Sequence, residues 1–301
     1  MKCLIVGCGY LGVALGAALV RRGHEVWGMR RTTEADALLA GAGIRPVHAD
    51  VTQPGWWRHL PQGVDWAIYC AAPGDGQWAS YCSVYGSGVR QAIVELGRLG
   101  VRKVVYASST GVYGQSAGEW VTEESPTEPP DEKGRLLLAA ETAWLETAGA
   151  DWESVTVLRI SGMYGAGRGY YLRRFWEGPG LGPGEKDRWV NQVHRDDVVG
   201  AVICALERAV GLAVYNVTDD EPVPLGQIFA WLEARTGRLT PAPSTEDAPR
   251  RHRPAGNKRV ANARLKTELG WRLQYPTFRE GYERELMRLG VLKGPDTPKP
   301  A

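Results

Sequence analysis

Residues 2–23 read KCLIVGCGYLGVALGAALVRRG, and this stretch decides the fold. Leu4 to Val6 form a short apolar run that predicts a strand, and Val13 to Val20 continue at helical spacing up to Arg21, Arg22 and Gly23. Glycines fill the turn between the two. The stretch is therefore a strand, a tight turn and a helix.

The turn Gly7-Cys8-Gly9-Tyr10-Leu11-Gly12 has the spacing GxGxxG. In this position Gly7 permits the tight turn, Gly9 lets a backbone approach a pyrophosphate, and Gly12 allows close helix packing. The first helical turn, with Tyr10 and Leu11, attracts phosphate charge through its N–H groups. The alternative is a purely structural glycine turn; the surrounding pattern favours dinucleotide binding.

The same stretch superficially resembles a signal peptide or a membrane span. Four glycines interrupt its apolar run, and no small-residue cleavage site follows. Five scattered cysteines without CxxC or Cys/His clustering favour neither a disulfide framework nor a zinc site. The sequence predicts a cytoplasmic protein without a metal or a membrane partner.

The composition of the 301 residues is that of an ordinary globular protein, with 44% hydrophobic and 23% charged residues. Its 36 basic and 34 acidic side chains leave a formal charge of +2, too balanced for a nucleic-acid binder without a reader motif. Small molecules are the expected partners.

Strands and helices are predicted to alternate after the first turn. Further strands are expected at His24–Met29, Arg45–Ala49, Val64–Cys70, Lys103–Ala107 and Ser154–Ile160, with helices at Ala35–Ala42, Tyr81–Leu99 and Gly134–Ala148. This order predicts an α/β fold with a doubly wound parallel sheet, a Rossmann fold. We assign residues 1–165 to the dinucleotide-binding domain, with a contribution from about 190–218, and residues 166–301 to a smaller, partly interleaved substrate-binding region.

The end of the second predicted strand bears on the choice of cofactor. An NAD enzyme places a carboxylate there for the ribose 2′-hydroxyl, whereas an NADP enzyme places arginine for the 2′-phosphate. Here Arg30 and Arg31 end the strand, and the first carboxylate is Glu34. NADP(H) is therefore preferred over NAD(H), the alternative being that both arginines are a solvated strand end.

Other strand ends supply weaker candidates for the cofactor site. Asp50 and Val51 follow the third strand and are expected at the adenine, and Ala71, Ala72 and Pro73 follow the fourth. Ser108 ends the fifth strand and is included in the same site.

These motifs, with the fifth-strand segment Tyr106 to Gly114, resemble the extended short-chain dehydrogenase/reductase superfamily, the NAD-dependent epimerase/dehydratase group. Arg159 to Gly165, Asn191 to Asp197 and Tyr215 to Val217 extend the resemblance over most of the chain. It implies a Ser/Thr at the end of the fifth strand and a Tyr-xxx-Lys pair on the next helix, where the lysine lowers the pKa of the tyrosine. It also implies a homodimer paired through the helices Tyr81–Leu99 and Gly134–Ala148.

The sequence departs from that pattern at the catalytic pair. With Glu141 aligned to the glutamate that closes the motif, Lys133 takes the tyrosine position and Leu137 the lysine position. No tyrosine lies between Tyr113 and Tyr164. This makes the chain similar to the atypical members of the superfamily.

Another group must then supply the proton if the chain is an enzyme. The catalytic candidates are Thr110, Ser109 and Tyr113, with Lys133 and His194 as further titratable groups. Strand-end capping is the alternative role for Ser109 and Thr110, and packing for Tyr113. A lone histidine more often has a structural role, so His194 is not expected to be the acid.

Two basic groups complete the list. The first group is expected to line a site for an anionic substrate and consists of Arg135, Arg159, Arg168 and Arg195. The second is expected to lie on a loop that closes over the cleft and consists of Arg250, Arg251, Arg253 and Lys258. The expected function is an NAD(P)-binding oxidoreductase or epimerase-like enzyme for a polar, sugar- or nucleotide-linked substrate. The alternative is a non-catalytic NADP(H)-binding sensor or regulatory protein.

Overall fold

The computed structural model describes residues 1–146, 152–241 and 256–292. Its strands are β1 (Lys2–Val6), β2 (Glu25–Arg30), β3 (Arg45–His48), β4 (Trp66–Tyr69), β5 (Lys103–Ser109), β6 (Glu119–Val121), β7 (Ser154–Ile160), β8 (Gly162–Tyr164), β9 (Trp189–Val190), β10 (Gln192–His194), β11 (Gly211–Val217), β12 (Val223–Pro224) and β13 (Lys258–Val260).

Ten helices accompany these strands in the described residues. They are α1 (Tyr10–Arg21), α2 (Asp36–Gly41), α3 (Trp78–Tyr81), α4 (Val89–Arg98), α5 (Glu132–Glu146), α6 (Tyr170–Glu177), α7 (Arg195–Arg208), α8 (Leu225–Thr236), α9 (Ala263–Leu269) and α10 (Phe278–Arg288). A π-helical segment, Cys82–Gly88, joins α3 to α4, and short 3-10 turns lie at Trp56–His59 and Thr110–Val112.

Seven strands form the central sheet in the order β11-β7-β5-β4-β1-β2-β3. Every pairing is parallel. The inner strands are buried on both faces, as β7 shows with seven buried residues. The doubly wound Rossmann sheet predicted from the sequence is confirmed.

Two apolar layers cover the sheet. One layer joins Leu15 and Leu19 of α1 to Val198, Val202 and other residues of α7. The other joins Val89, Ile93 and Leu96 of α4 to Ala140 and Trp144 of α5. Helices therefore lie on both faces, and all carboxyl ends of the strands meet at one edge.

A smaller body follows the main domain along the chain. Helices α6, α8 and α10 bury a separate apolar cluster around Phe175, Phe229 and Phe278. Its strands are short: β10 pairs with β8, β12 with β9, and β13 with β6. Residues 211–217 leave this region and add β11 as an edge strand of the central sheet.

Two features are absent from the described residues. No helix in these segments is both long and apolar enough to cross a membrane. No group of three or more His, Cys, Asp or Glu residues in the same segments is arranged to hold a metal ion.

Candidate functional site

A cleft of about 660 Å³ runs along the carboxyl ends of the central strands. This is the position at which open α/β sheets bind their ligands. Its lining combines the glycine turn, strand ends of β2, β4, β5 and β7, and two residues of the π segment: Gly7, Cys8, Gly9, Tyr10, Leu11, Met29, Arg30, Arg31, Thr32, Glu34, Ala49, Asp50, Val51, Cys70, Ala71, Ala72, Val84, Tyr85, Ala107, Ser108, Ser109, Ile160, Ser161, Met163 and Arg168.

The glycine turn is shaped for the close approach of a ligand. Gly7 has a φ of 87°, and a Cβ there would overlap the backbone of Ala71. At Gly9 the nearest atom to an added Cβ is the Gly7 carbonyl oxygen at 3.9 Å, so this face opens to the cleft. Gly12 instead faces inward, where a Cβ would lie 3.0 Å from Ile5 Cγ2.

Helix α1 begins at Tyr10, directly beside this open face. Its first turn carries no acidic side chain, and no side chain caps its N-terminus. The first N–H groups of a helix have no partner within the helix, and the helix dipole adds positive potential there. The turn therefore fits a pyrophosphate, the group that the sequence motif predicts.

The two arginines behave differently. Arg30 donates from Nη1 to the Cys8 carbonyl oxygen at 3.2 Å, which ties it to the glycine turn. Arg31 is exposed and reaches towards Gly74. Glu34 also lines the cleft, so the same cleft contains a carboxylate as well as the two arginines. The sequence order alone did not place Glu34 there.

Of the other residues predicted to bind the cofactor, some line the cleft and one lies outside its lining. Asp50 and Val51 line the cleft, and Asp50 Oδ1 accepts hydrogen bonds from the Thr52 N–H at 2.9 Å and its hydroxyl at 2.8 Å. Ala71 and Ala72 also line it, whereas Pro73 lies outside the lining.

The polar residues that end β5 have separate roles. Ser108 donates to Glu141 Oε1 at 2.5 Å and is buried. Ser109 Oγ accepts from the Gly111 N–H at 3.1 Å, which is the capping role given as its alternative, and within the described residues its own O–H has no acceptor. Ser109 also lines the cleft. Thr110 begins a 3-10 turn and does not line the cleft.

Tyr113 is placed for packing, away from the cleft lining. It is 1% exposed, and its hydroxyl donates to Asn216 Oδ1 at 2.8 Å. Arg159 Nη1 donates to the same hydroxyl at 3.0 Å and is itself paired with Glu141 at 2.8 Å. The expectation that Arg159 lines an anion site is therefore wrong, because this guanidinium is buried and neutralised by Glu141.

Lys133 and Leu137 stand outside the cleft lining as well. Lys133 Nζ donates to the Gly76 carbonyl oxygen at 3.1 Å and lies 4.2 Å from the centre of the Tyr81 ring. Leu137 packs against an apolar cluster that includes Val112 and Val260. The positions of the family's catalytic pair thus hold no acid or base in this cleft.

Arg168 and Arg195 both lie close to the ring of one cleft residue. Their guanidinium carbons are 5.3 Å and 5.1 Å from the centre of the Tyr10 ring. Arg168 also lines the cleft, whereas Arg135 only donates weakly to the Pro130 carbonyl oxygen at 3.4 Å. Of the four arginines proposed for an anion, Arg168 is the one that borders the cleft.

His194 is 2% exposed, and its ring lies 4.0 Å from that of Tyr275. Its Nδ1 accepts from the Asp196 N–H at 3.2 Å, which caps α7. This placement agrees with the structural role expected for it. Arg250, Arg251 and Arg253 lie outside the described residues.

The cleft residues that the sequence analysis missed include two hydroxyl groups, those of Ser161 and Tyr85. Ser161 follows β7 and is 7% exposed, and among the described residues its Oγ has no hydrogen-bond partner. Its position after a strand was a usable signal. Tyr85 lines the cleft from the π segment, whose irregular turn gives no sequence signal.

The sequence model of the NAD dependent epimerase/dehydratase family matches residues 3–218. The chain belongs to this family. Its resemblance to the extended short-chain dehydrogenase/reductases is thereby confirmed. Protein YeeZ of Escherichia coli K12 is 29% identical over 91% of the chain and 96% of that protein.

Solved structures of family members share the fold. A putative NAD-dependent epimerase/dehydratase from Methylobacillus flagellatus is 33% identical, with a TM-score of 0.75 over 96% of this chain and 98% of that one. MoeE5, solved in complex with UDP-glucuronic acid and NAD, has a TM-score of 0.82 over 96% and 100% of the two chains. At 23% identity, the likeness to MoeE5 concerns the fold alone.

Lys258, the fourth basic residue of that predicted loop, begins β13 and is buried against Tyr113. It is 7% exposed, and its Nζ donates to the Tyr113 carbonyl oxygen at 2.9 Å. Burial lowers the pKa of Lys258 from 10.5 to about 8, because the charged ammonium is poorly solvated there.

Stability should therefore depend on pH through Lys258. Between pH 8 and 10.5 the unfolded chain binds the proton that the folded chain has lost, so this residue's contribution rises with pH by up to about 3 kcal/mol. Urea unfolding from pH 7.5 to 10 should show the stability of Lys258→Met falling relative to the wild-type chain. The exposed Lys186, replaced by Met, is the control; equal pH profiles for both variants would contradict the assignment.

Proposed function

We propose that this protein is an NADP(H)-dependent oxidoreductase or epimerase-like enzyme that acts on a polar, sugar- or nucleotide-linked substrate. The observation that carries the proposal is the open face of Gly9 at the uncapped N-terminus of α1, inside a cleft with two arginines. The first test is a calorimetric titration with NADPH, NADP⁺, NADH and NAD⁺ in one buffer. Binding of none of the four would refute the proposal.

The chain's own groups would hold the dinucleotide along the cleft. The first N–H groups of α1 take the pyrophosphate, Arg30 and Arg31 the 2′-phosphate, and Asp50 with Val51 the adenosine. The nicotinamide half then lies across the ends of β4, β5 and β7. When bound, such a cofactor supplies or accepts a hydride.

The substrate would lie between the two bodies of the fold, with residues 166–301 as the substrate-binding region. The free O–H of Ser109 is placed to donate to a substrate oxygen, and Arg168 offers a positive charge to an anionic substrate group. A nucleotide-linked sugar supplies both groups, and MoeE5 was solved with such a molecule. The same proposal places the protein in the cytoplasm, as a homodimer that pairs through α4 and α5.

The preference for NADP(H) has its own test. In Arg31→Ala the affinity for NADP⁺ should fall at least 10-fold and that for NAD⁺ less than 3-fold, since only the 2′-phosphate needs this guanidinium. Arg30→Ala should weaken both, because Arg30 also holds the Cys8 carbonyl of the glycine turn.

Calorimetry on the two single variants and the double variant measures these ratios. The exposed Arg58, replaced by Ala, is the control. Equal losses for NADP⁺ and NAD⁺ in Arg31→Ala would show that this residue does not select the cofactor, and Glu34 would then be the residue to examine at the ribose.

A non-catalytic NADP(H) sensor is the second candidate. It is favoured by Leu137, which packs in an apolar cluster where the family has its lysine. Tight binding of NADPH without any absorbance change at about 340 nm on a panel of carbonyl compounds and nucleotide sugars would support this candidate. Turnover of any member of the panel would exclude it.

A further inference from the structure

The cleft has a phenol that the sequence pattern did not indicate. Within the described part of the chain two tyrosines line it, Tyr10 and Tyr85. Tyr10 lies at the start of α1, near Arg168 and Arg195, at the end of the cleft assigned to the pyrophosphate. Tyr85 is the one at the opposite side, where β4 and β5 end.

Several contacts fix Tyr85 at that place. Its ring centre lies 5.6 Å from that of Tyr81, one turn earlier in the helix. The ring packs partly against the apolar layer that contains Tyr69 and Tyr106. Cys70, the first residue after β4, is an electrostatic neighbour of its hydroxyl. Tyr85 therefore faces the region assigned to the nicotinamide half of the cofactor.

The π segment Cys82–Gly88 explains how a helix residue reaches the cleft. An inserted π turn shifts the residues that follow it around the helix axis, and such turns are frequent at functional sites. Tyr69 donates to the Val84 carbonyl oxygen at 2.7 Å, which anchors the segment to β4. Val84 and Tyr85 both line the cleft as a result.

Three other groups that could move a proton are bound to other residues or lie outside the lining. The hydroxyl of Tyr113 is held by Arg159 and Asn216, and Ser108 is bound to Glu141. Lys133 lies outside the lining. In the described residues no hydrogen bond engages the Tyr85 hydroxyl, so it is free to donate to a ligand.

We propose that Tyr85 supplies the proton in place of the motif tyrosine of the family, which this chain lacks. The inference rests on the proposed function. As a substrate carbonyl is reduced, its carbon gains the hydride of the reduced nicotinamide dinucleotide and its oxygen gains the proton of the Tyr85 O–H. The phenolate then recovers a proton from water, and Ser109 donates a second hydrogen bond to the same oxygen.

The chemistry of this phenol suits donation. Burial, with Tyr81 and Cys70 nearby, raises the pKa of Tyr85 to about 12. It is therefore protonated at neutral pH, and an alkoxide that forms on the substrate is a stronger base than the phenolate.

The position of Tyr85 can be tested without turnover. The chain labelled with 3-fluorotyrosine carries 12 fluorines, and Tyr85→Phe identifies the resonance of Tyr85. NADP⁺ should shift this resonance, whereas 2′-phospho-ADP-ribose, which lacks the nicotinamide, should not. If both ligands bind by calorimetry and shift it equally, Tyr85 does not face the nicotinamide and the proposal fails.

The role of Tyr85 is tested by activity, with a reactive dicarbonyl such as 9,10-phenanthrenequinone and a panel of carbonyl compounds as probes. Tyr85→Phe should lower kcat with NADPH at least 30-fold while the Kd for NADPH changes less than 2-fold. Tyr81→Phe, on the preceding turn and outside the lining, is the matched control and should keep kcat within 2-fold.

The outcomes separate the two proposals. Reduction by the wild-type chain and equally by Tyr85→Phe overturns the role of Tyr85 and leaves the proposed function intact. If the wild-type chain binds none of the dinucleotides, or reduces none of the probes, both the proposed enzyme function and the role of Tyr85 are overturned. A large loss in both tyrosine variants would indicate a packing role and also overturn the proposal.

Discussion

Replacing Arg159 by methionine should lower the free energy of unfolding by about 3–5 kcal/mol, the cost of leaving a buried carboxylate without its partner. Glu141 and Arg159 have side chains that are 1% and 7% exposed. Arg159 donates to Glu141 from Nε at 3.0 Å and from Nη2 at 2.8 Å. Urea unfolding at neutral pH measures the change.

The loss should come mainly from the stranded Glu141, so a second substitution tests the explanation. In Arg159→Met combined with Glu141→Gln, the neutral amide no longer requires a cation, and part of the stability should return. In this double variant the hydroxyl of Tyr113 keeps Asn216 as its partner, and the carbonyl oxygen of the introduced amide can still accept from Ser108.

A surface pair provides the matched control. Arg22 and Glu207 are also 2.8 Å apart, but their side chains are 51% and 33% exposed. Arg22→Met should cost about 1 kcal/mol or less, because water screens an exposed pair. Equal losses in Arg22→Met and Arg159→Met would contradict the importance of burial.

The first half of the fold could be predicted because local signals and tertiary context agree there. Leu4 to Val6, the three glycines and the helix that follows have one consistent arrangement, and the structure adopts it. Boundaries were less certain: the helix predicted at Tyr81–Leu99 already begins at Trp78 and includes a π segment.

The short strands of the second half had no comparable signal. The strands β6 and β13 have three residues each and pair, as Glu119 with Lys258, although the 136 residues 122–257 separate them in sequence. Three residues are too few to reveal a period, and their pairing is set by tertiary packing alone. Helix α6 was also not predicted, because it is flanked by Gly169 and Gly178 and no side chain caps its N-terminus.

The candidate site was predictable where backbone geometry sets the chemistry. Gly7, Gly9 and the strand ends at Asp50, Ala71 and Ser109 meet in one cleft because parallel strands share an edge. The hydrogen-bond and ion-pair partners of the buried side chains could not be predicted. The residues Arg159 and Tyr113 are charged or protic by type, and only the three-dimensional structure pairs them with Glu141 and Asn216.

Gly9→Val should abolish dinucleotide binding and leave the fold intact. Apart from its two chain neighbours, no described residue has an atom nearer than 3.9 Å to a Cβ added at Gly9, so the added side chain extends into the cleft. By calorimetry the Kd for NADPH should rise at least 100-fold, about 2.7 kcal/mol, with a smaller rise for Gly9→Ala. The midpoint of thermal unfolding without ligand should change by about 2 °C or less.

Gly7→Ala is the contrasting variant, because there the obstacle is the chain itself. A φ of 87° strains any other residue, and the methyl group overlaps the backbone of Ala71. We expect this variant to lose about 2 kcal/mol or more of stability, whether or not a ligand is present. The two substitutions distinguish a position that must stay open for a ligand from a turn that must stay tight for the fold. Unchanged NADPH binding by Gly9→Val would refute the placement of the pyrophosphate.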